Sequence, residues 1–372
     1  MSMDLSRIRI GRTEDLRSVY CAERYTHLLV LGKSGAGKSS WILGRWEEDE
    51  RGRCAKALVD PGFLPRECYA VSKGRAIYCS LDHPVSLNPM QSPYGPDTVS
   101  DLIAECVNQV IALTTPNQPF TVKMRSILDD AIKYCLAHNR KNLMNVRDYI
   151  ATLKGDGETR DGIIHRLNFL VNDERMQPIL CGNDSLKWGE FIARGQTFIL
   201  DCFGMSREKM VFAGNLVSQG IKNYFRYERP RTYHPLALYI DECHNFVNFN
   251  FMDILKEGRK FKLSCVLSTQ DFASIDERLA RVMLNVGTLV CFRVGAREAA
   301  LIAKEMDCAP QELQFLEKYH LAYMTPKERG FAKAPRPPLA KRMEIKPAST
   351  APRTEPRAQA KGWFPLVPCE SV

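Results

Sequence analysis

The chain has 372 residues, 45% of them hydrophobic and 26% charged, which is enough for one large domain with an insertion or for two smaller ones. No apolar run approaches the roughly 18 residues of a membrane span, and the N-terminus (MSMDLSRIRIG) lacks the apolar core of a secretory signal. Thirteen cysteines form no C-x-x-C pair and lie mostly in apolar runs, so buried thiols in a reducing cytoplasm are expected rather than disulfides or zinc; the net charge of +9 hints at a polyanionic partner.

The first strong element is LLVLG (residues 28–32), a short buried strand that runs into GKSGAGKS (32–39) and then a helical stretch. This fits G-x-x-x-x-G-K-[ST] in its required strand–loop–helix setting. The glycines let the backbone of Gly32, Lys33, Ser34, Gly35, Ala36, Gly37, Lys38, Ser39 and Ser40 wrap a phosphate chain with its N–H groups. The helix N-terminus favours negative charge at the same place. Lys38 is expected to reach the β and γ phosphates, and the Ser39 hydroxyl to ligate Mg²⁺. A chance glycine-rich turn is the bland alternative, and the order of strand, loop and helix speaks against it. A bound nucleoside triphosphate is expected.

Strands follow at AKALVD (55–60) and AIYCSLD (76–82), then a long helical run from about 98 to 173. Its basic positions (Lys123, Arg125, Lys133, Arg140, Lys141) read as a solvated helix face before they read as a DNA track. Strands return at QTFILD (196–201), LALYID (236–241), SCVLST (264–269) and TLVCFRV (288–294), separated by helices near 208–227 and 296–306. Apolar strands alternating with helices imply an α/β fold with a parallel sheet covered on both faces.

Asp241 and Glu242 end the strand LALYI. An aspartate there can hold Mg²⁺ through water, and a glutamate beside it can polarise the attacking water. Asp60 and Asp201 also end strands, but neither has a glutamate beside it.

The stretch DILKEGRKFKLSCVLSTQ (253–270) places a Gly-Arg-Lys turn before a strand that ends in Gln270. In a parallel sheet the strand ends carrying Lys38, Asp241 and Gln270 emerge on one edge, where ligands bind. Gln270 can then bond the γ-phosphate or the attacking water. Arg259 falls at the opposite edge, too far from its own phosphate but free to serve a neighbour's in trans. Gly258 is expected to allow a sharp turn and Lys260 to assist. The residues alone leave a second reading standing, a helix C-cap with favourable cations.

The last 47 residues, from Pro326, carry ten Lys or Arg against four Glu and nine of the 21 prolines. They read as an unordered basic tail, and the folded part is nearly neutral. The tail ends in the apolar cluster Trp363, Phe364, Leu366 and Val367, a candidate docking point for a protein partner.

Taken in succession, GKSGAGKS, LYIDE, EGRKFKL and STQ resemble the FtsK–HerA superfamily of hexameric DNA-pumping ATPases, above all the type IV coupling proteins of conjugation and the HerA-like helicase core. The lead-in HLLVLGKSGAGKS with His27, VDPGF (59–63) and SLNPM (86–90) are similar too, and the resemblance spans about residues 5–325. It implies a RecA-like P-loop NTPase of the additional-strand class, with a mostly parallel sheet and an all-α insertion. The implied divisions are an N-terminal core part (1–97), a helical insertion (98–195), a C-terminal core part (196–325) and the tail (326–372). It implies ATP with Mg²⁺ (no N-K-x-D guanine motif is present), Glu242, Arg259 in trans, Gln270 as sensor and Lys38 as catalytic groups, and Ser39 with Asp241 at the metal. It implies a homo-hexamer acting on duplex DNA in conjugation, genome packaging or DNA processing, cytoplasmic or peripheral at a membrane, virion or secretion assembly. NFVNFNF (245–251) is the candidate pore element, its asparagines able to contact phosphates, while its phenylalanines read first as core. The pattern departs from the family in lacking N-terminal membrane helices, and the helical run has no residue-by-residue match. A secretion ATPase acting on protein and a nucleotide-dependent assembly switch are the competing functions.

Overall fold

The structure is a computed structural model that describes residues 8–21, 26–52, 54–114, 120–155, 157–228, 234–246, 251–339 and 343–345. Its strands are β1 (Arg9–Arg12), β2 (Ser18–Tyr20), β3 (Leu28–Leu31), β4 (Ala55–Asp60), β5 (Ile77–Cys79), β6 (Thr197–Asp201), β7 (Leu236–Ile240), β8 (Leu263–Thr269), β9 (Thr288–Cys291), β10 (His320–Met324) and β11 (Arg329–Lys333). Its helices are α1 (Lys38–Arg51), α2 (Leu64–Val71), α3 (Pro96–Thr114), α4 (Val122–Ala137), α5 (Leu143–Thr152), α6 (Gly157–Val171), α7 (Gln177–Cys181), α8 (Trp188–Ala193), α9 (Arg207–Asn223), α10 (Phe251–Glu257), α11 (Glu277–Leu284), α12 (Ala296–Met306) and α13 (Pro310–Gln314).

One sheet carries all eleven strands in the order β2-β1-β11-β10-β9-β3-β8-β7-β4-β6-β5. The run from β9 to β5 is parallel throughout, as the apolar strand–helix alternation predicts. Period-two alternation then assigns each strand's side chains to two cores. Leu28 and Val30 meet Trp41, Ile42 and Trp46 of α1 on one face, while Leu29 and Leu31 join α3, α9 and the insertion helices on the other. Beneath the first face Asp49 of α1 accepts a buried bond from Arg45 at 3.0 Å and another from the Tyr239 hydroxyl of β7. That pair anchors α1 to the strand that ends at Asp241.

Helices α3 to α8 lie between β5 and β6. Asn88 of the SLNPM stretch ties them to the sheet: its amide donates to the Lys141 carbonyl at 2.8 Å and the Gly182 carbonyl at 2.9 Å. Among the basic positions of these helices, Arg125 pairs with Asp101 and Lys133 with Asp97 and Asp129, the pattern of a solvated, ion-paired face.

The sheet is mostly parallel, as expected, but strands β1, β2, β10 and β11 form an antiparallel flank that no apolar run announced. The tail therefore does not begin at Pro326: Arg329–Lys333 pair with β10 along their whole length and with β1. Alternation rescues so charged a segment, because Ala332 turns into the core while Arg329 and Lys333 face water. Residues 346–372, including the apolar cluster at Trp363, lie outside the described residues.

Candidate functional site

The loop 32–39 leaves β3 and is held on both sides. Gly32 donates its N–H to the Thr269 carbonyl of β8 at 3.3 Å, and Lys33 donates to the Arg293 carbonyl just beyond β9 at 2.7 Å. Gly37 (φ 124°) precedes Lys38, the first residue of α1, and no side chain caps this helix start. The leading N–H groups of a helix have no intrahelical acceptor, so this one presents uncapped donors beside a glycine-rich curve, which suits an anion. Lys38 is 6% exposed and its ammonium donates to the Gly32 carbonyl at 2.6 Å. Burial pulls its pKa below the usual lysine range, partly offset by Glu242 and Asp241. The lysine and both carboxylates thus sense one another. Lys33, Ser34, Gly35 and Ser39 are exposed and Ser40 half-buried, while Ala36 is buried.

Asp241 and Glu242 follow β7, two strands from β3. Asp241 is 8% exposed and accepts the Glu242 N–H at 3.0 Å. Glu242 stands at φ 45°, ψ 49°, a left-handed conformation uncommon for a residue with a Cβ. Strain of this kind persists where the surroundings impose it, and it concentrates at functional positions. Burial, then the neighbouring Asp241, raises the Glu242 pKa above the usual carboxylate range. Gln270, exposed just after β8, donates its backbone N–H to the Glu242 carboxylate at 3.4 Å. The structure thus brings Lys38, Asp241, Glu242 and Gln270 to one edge of the sheet.

The rival carboxylates are spoken for locally. Asp60 accepts the Gly62 and Leu64 N–H groups at 2.8 and 3.1 Å, and Asp201 accepts the Phe203 N–H at 2.9 Å and the Tyr78 hydroxyl. Burial, then Asp241, holds Asp60 well above the carboxylate range. Ser39, exposed at the helix start, and Asp241 are the candidates left at this edge for holding a metal. No group of three or more His, Cys, Asp or Glu suited to a metal occurs among the described residues. A site with one carboxylate and one hydroxyl suits Mg²⁺, which keeps waters and leans on substrate phosphates.

Arg259 and Lys260 are exposed in a short 3₁₀ turn, Gly258–Phe261, that enters β8 from its other end. Seven residues of strand separate that turn from Gln270, about 20 Å. Arg259 is therefore not brought to its own chain's phosphate loop. The C-cap reading and the sharp turn at Gly258 are both corrected: the left-handed residue is Lys262 (φ 59°). Gly258 lets the turn pack closely, since a Cβ there would lie 3.3 Å from the His27 ring and 3.2 Å from Leu263. His27 in turn accepts the Cys265 N–H at 3.0 Å, bracing the turn against β8.

Sequence reasoning missed His244. Its Nδ1 lies 2.9 Å from the Thr269 hydroxyl and 3.5 Å from the Glu242 carboxylate, joining the ends of β7 and β8. A histidine two residues after an Asp-Glu pair carries no period or spacing that would single it out. Of the candidate pore element, Phe246 and Phe251 are buried core residues, and 247–250 lie outside the described residues.

With this geometry in hand, solved structures provide a comparison. VirB4 of Thermoanaerobacter pseudethanolicus superposes with a TM-score of 0.72 at 15% identity, over 90% of this chain and 97% of that one. The bacterial conjugative coupling protein TrwB superposes at 0.70 and 12% identity, over 91% and 92%. TrwB in complex with ADP and Mg²⁺ gives 0.69 at 14% identity, over 87% and 88%. The fold is that of the RecA-like P-loop ATPases. The likeness is the one expected from the motifs, to ATPases of the FtsK–HerA type, and at this identity it is a likeness of fold. No family model and no curated protein sequence matches the chain. The mixed sheet also fits: the parallel core carries the motif edge, and the antiparallel flank lies beyond β9. No helix among the described residues is long and apolar enough to cross a membrane.

Proposed function

We propose that the chain is an ATP hydrolase of the FtsK–HerA type that drives DNA through a homo-oligomeric ring, as in DNA transfer or packaging. One observation carries this reading. Lys38, Asp241, Glu242 and Gln270 share one sheet edge, while the exposed Arg259 stands on a braced turn at the other. A site with its base at one edge and its cation at the opposite edge is complete only when two copies meet.

The loop N–H groups and Lys38 hold the β and γ phosphates. Ser39 and Asp241 would hold Mg²⁺, which would supply positive charge against the phosphates. Glu242 orients the attacking water and takes its proton, and the backbone of Gln270 keeps that carboxylate aimed. The Gln270 side chain, free at the edge, reads whether the γ-phosphate is present. Arg259 of the next copy stabilises charge on the transferring group. The likeness to a conjugative coupling protein and the motif resemblance together favour DNA as the cargo.

ATP turnover measured with duplex DNA over a salt series tests the cargo. DNA is expected to raise turnover at low salt, and the stimulation to fade steeply as salt rises. Turnover indifferent to DNA at every salt concentration would favour protein as cargo instead.

A further inference from the structure

We infer that Tyr319 forms the base-side wall of the nucleotide site, its ring stacking on the planar base. This rests on reading residues 32–39 as the phosphate loop. The catalytic groups all stand on the β8 and β7 side of β3. The γ end of a triphosphate is therefore drawn to that side, and the sugar and base must leave over the other flank, toward β9. After β9 the chain passes through α12 and α13 and returns across that flank at Tyr319.

The contact with the loop is direct. Tyr319 donates its N–H to the Ala36 carbonyl at 3.0 Å. A Cβ on Gly37 would lie 3.0 Å from the Tyr319 ring and 3.2 Å from the buried Phe292 ring, so the tyrosine ring packs closely against the loop itself. Tyr319 itself stands at φ 66°, where glycine or asparagine is the ordinary choice. A tyrosine kept in such a conformation, with the Ala334 N–H bonded to its carbonyl at 2.8 Å, points to use of the ring rather than of the turn. The ring is half-buried, and Lys318 Nζ lies 5.0 Å from its centroid. Lys318 is exposed, so the ring face it covers lies at the surface and not in the core, and the lysine would swing aside for a base. An aromatic face accepts any base, which gives affinity without choosing among nucleotides.

The test compares ADP with inorganic tripolyphosphate, which has no base and no sugar, by calorimetry on the full chain. Three proteins are used: wild type, Tyr319→Gly, which keeps the left-handed turn without strain, and Tyr319→Phe, which keeps the ring. ADP should bind Tyr319→Gly about tenfold more weakly, with tripolyphosphate unchanged, and Tyr319→Phe should match wild type. Unchanged ADP affinity in Tyr319→Gly, or no recovery in Tyr319→Phe, would overturn the stacking role. Equal loss of both ligands in Tyr319→Gly would overturn it too, by showing that the ring only props the loop. Wild type binding neither ligand would instead sink the phosphate-loop reading itself.

Discussion

In the proposed function Lys38 and Glu242 act on the same phosphate chain, but one holds it and the other prepares the water that attacks it. Lys38→Ala should weaken nucleotide binding and turnover together, turnover by roughly a hundredfold or more. Glu242→Gln should keep tight binding while turnover falls by a similar factor. Equilibrium binding and steady-state turnover of the two variants check this, and full turnover in Glu242→Gln would remove the base assignment. His27 gives a second residue-scale prediction, in stability. Burial, with Arg259 opposing a second positive charge, pulls its pKa from the ordinary 6.5 to about 4. The unfolded histidine takes a proton first, so stability is lost as pH falls from 6.5 towards 4, by about 3 kcal/mol in all. The stability gap between wild type and His27→Gln should narrow by that amount over this window. Parallel pH curves would contradict it.

At the scale of elements, the sequence disclosed what periodicity and motif disclose. The seven parallel strands are continuous apolar runs, so their order along the chain could be read, and the glycine spacing of 32–39 located the site on one of them. Asp241, Glu242 and Gln270 were legible because a strand end in a parallel sheet has a fixed side. The antiparallel flank was not legible: Arg9–Arg12 and Arg329–Lys333 are four- and five-residue strands with charges at both ends, and their pairing is set by partners far along the chain. Tyr319 and His244 stayed hidden for the same reason, since each matters through a contact with a distant segment. The role of β11 makes a prediction. A chain ending at Thr325 loses the strand that joins β10 to β1, and its melting temperature should fall by about 2 °C or more. A chain ending at Ile345 keeps every described strand and should melt and turn over like the full protein. Equal stability of both truncations would show that β11 contributes nothing to the fold.

For the whole molecule, the proposed function makes the two edges of the sheet complementary halves of one reaction centre: buried Asp241, half-buried Glu242 and the 32–39 loop at one, an exposed arginine turn at the other. A head-to-tail contact would join them, and a contact of that kind closes into a ring when its rotation allows. Loss of an arginine finger costs on the order of a thousandfold in turnover, so Arg259→Ala should be nearly inactive while still binding nucleotide. The most direct measurement is ATP turnover in mixtures of Lys38→Ala with Arg259→Ala, each nearly inactive alone. In the mixture, a sound phosphate loop from one protein meets a sound arginine from the other. Turnover should return on mixing. Mixtures no more active than their two components would contradict a centre completed by a second copy.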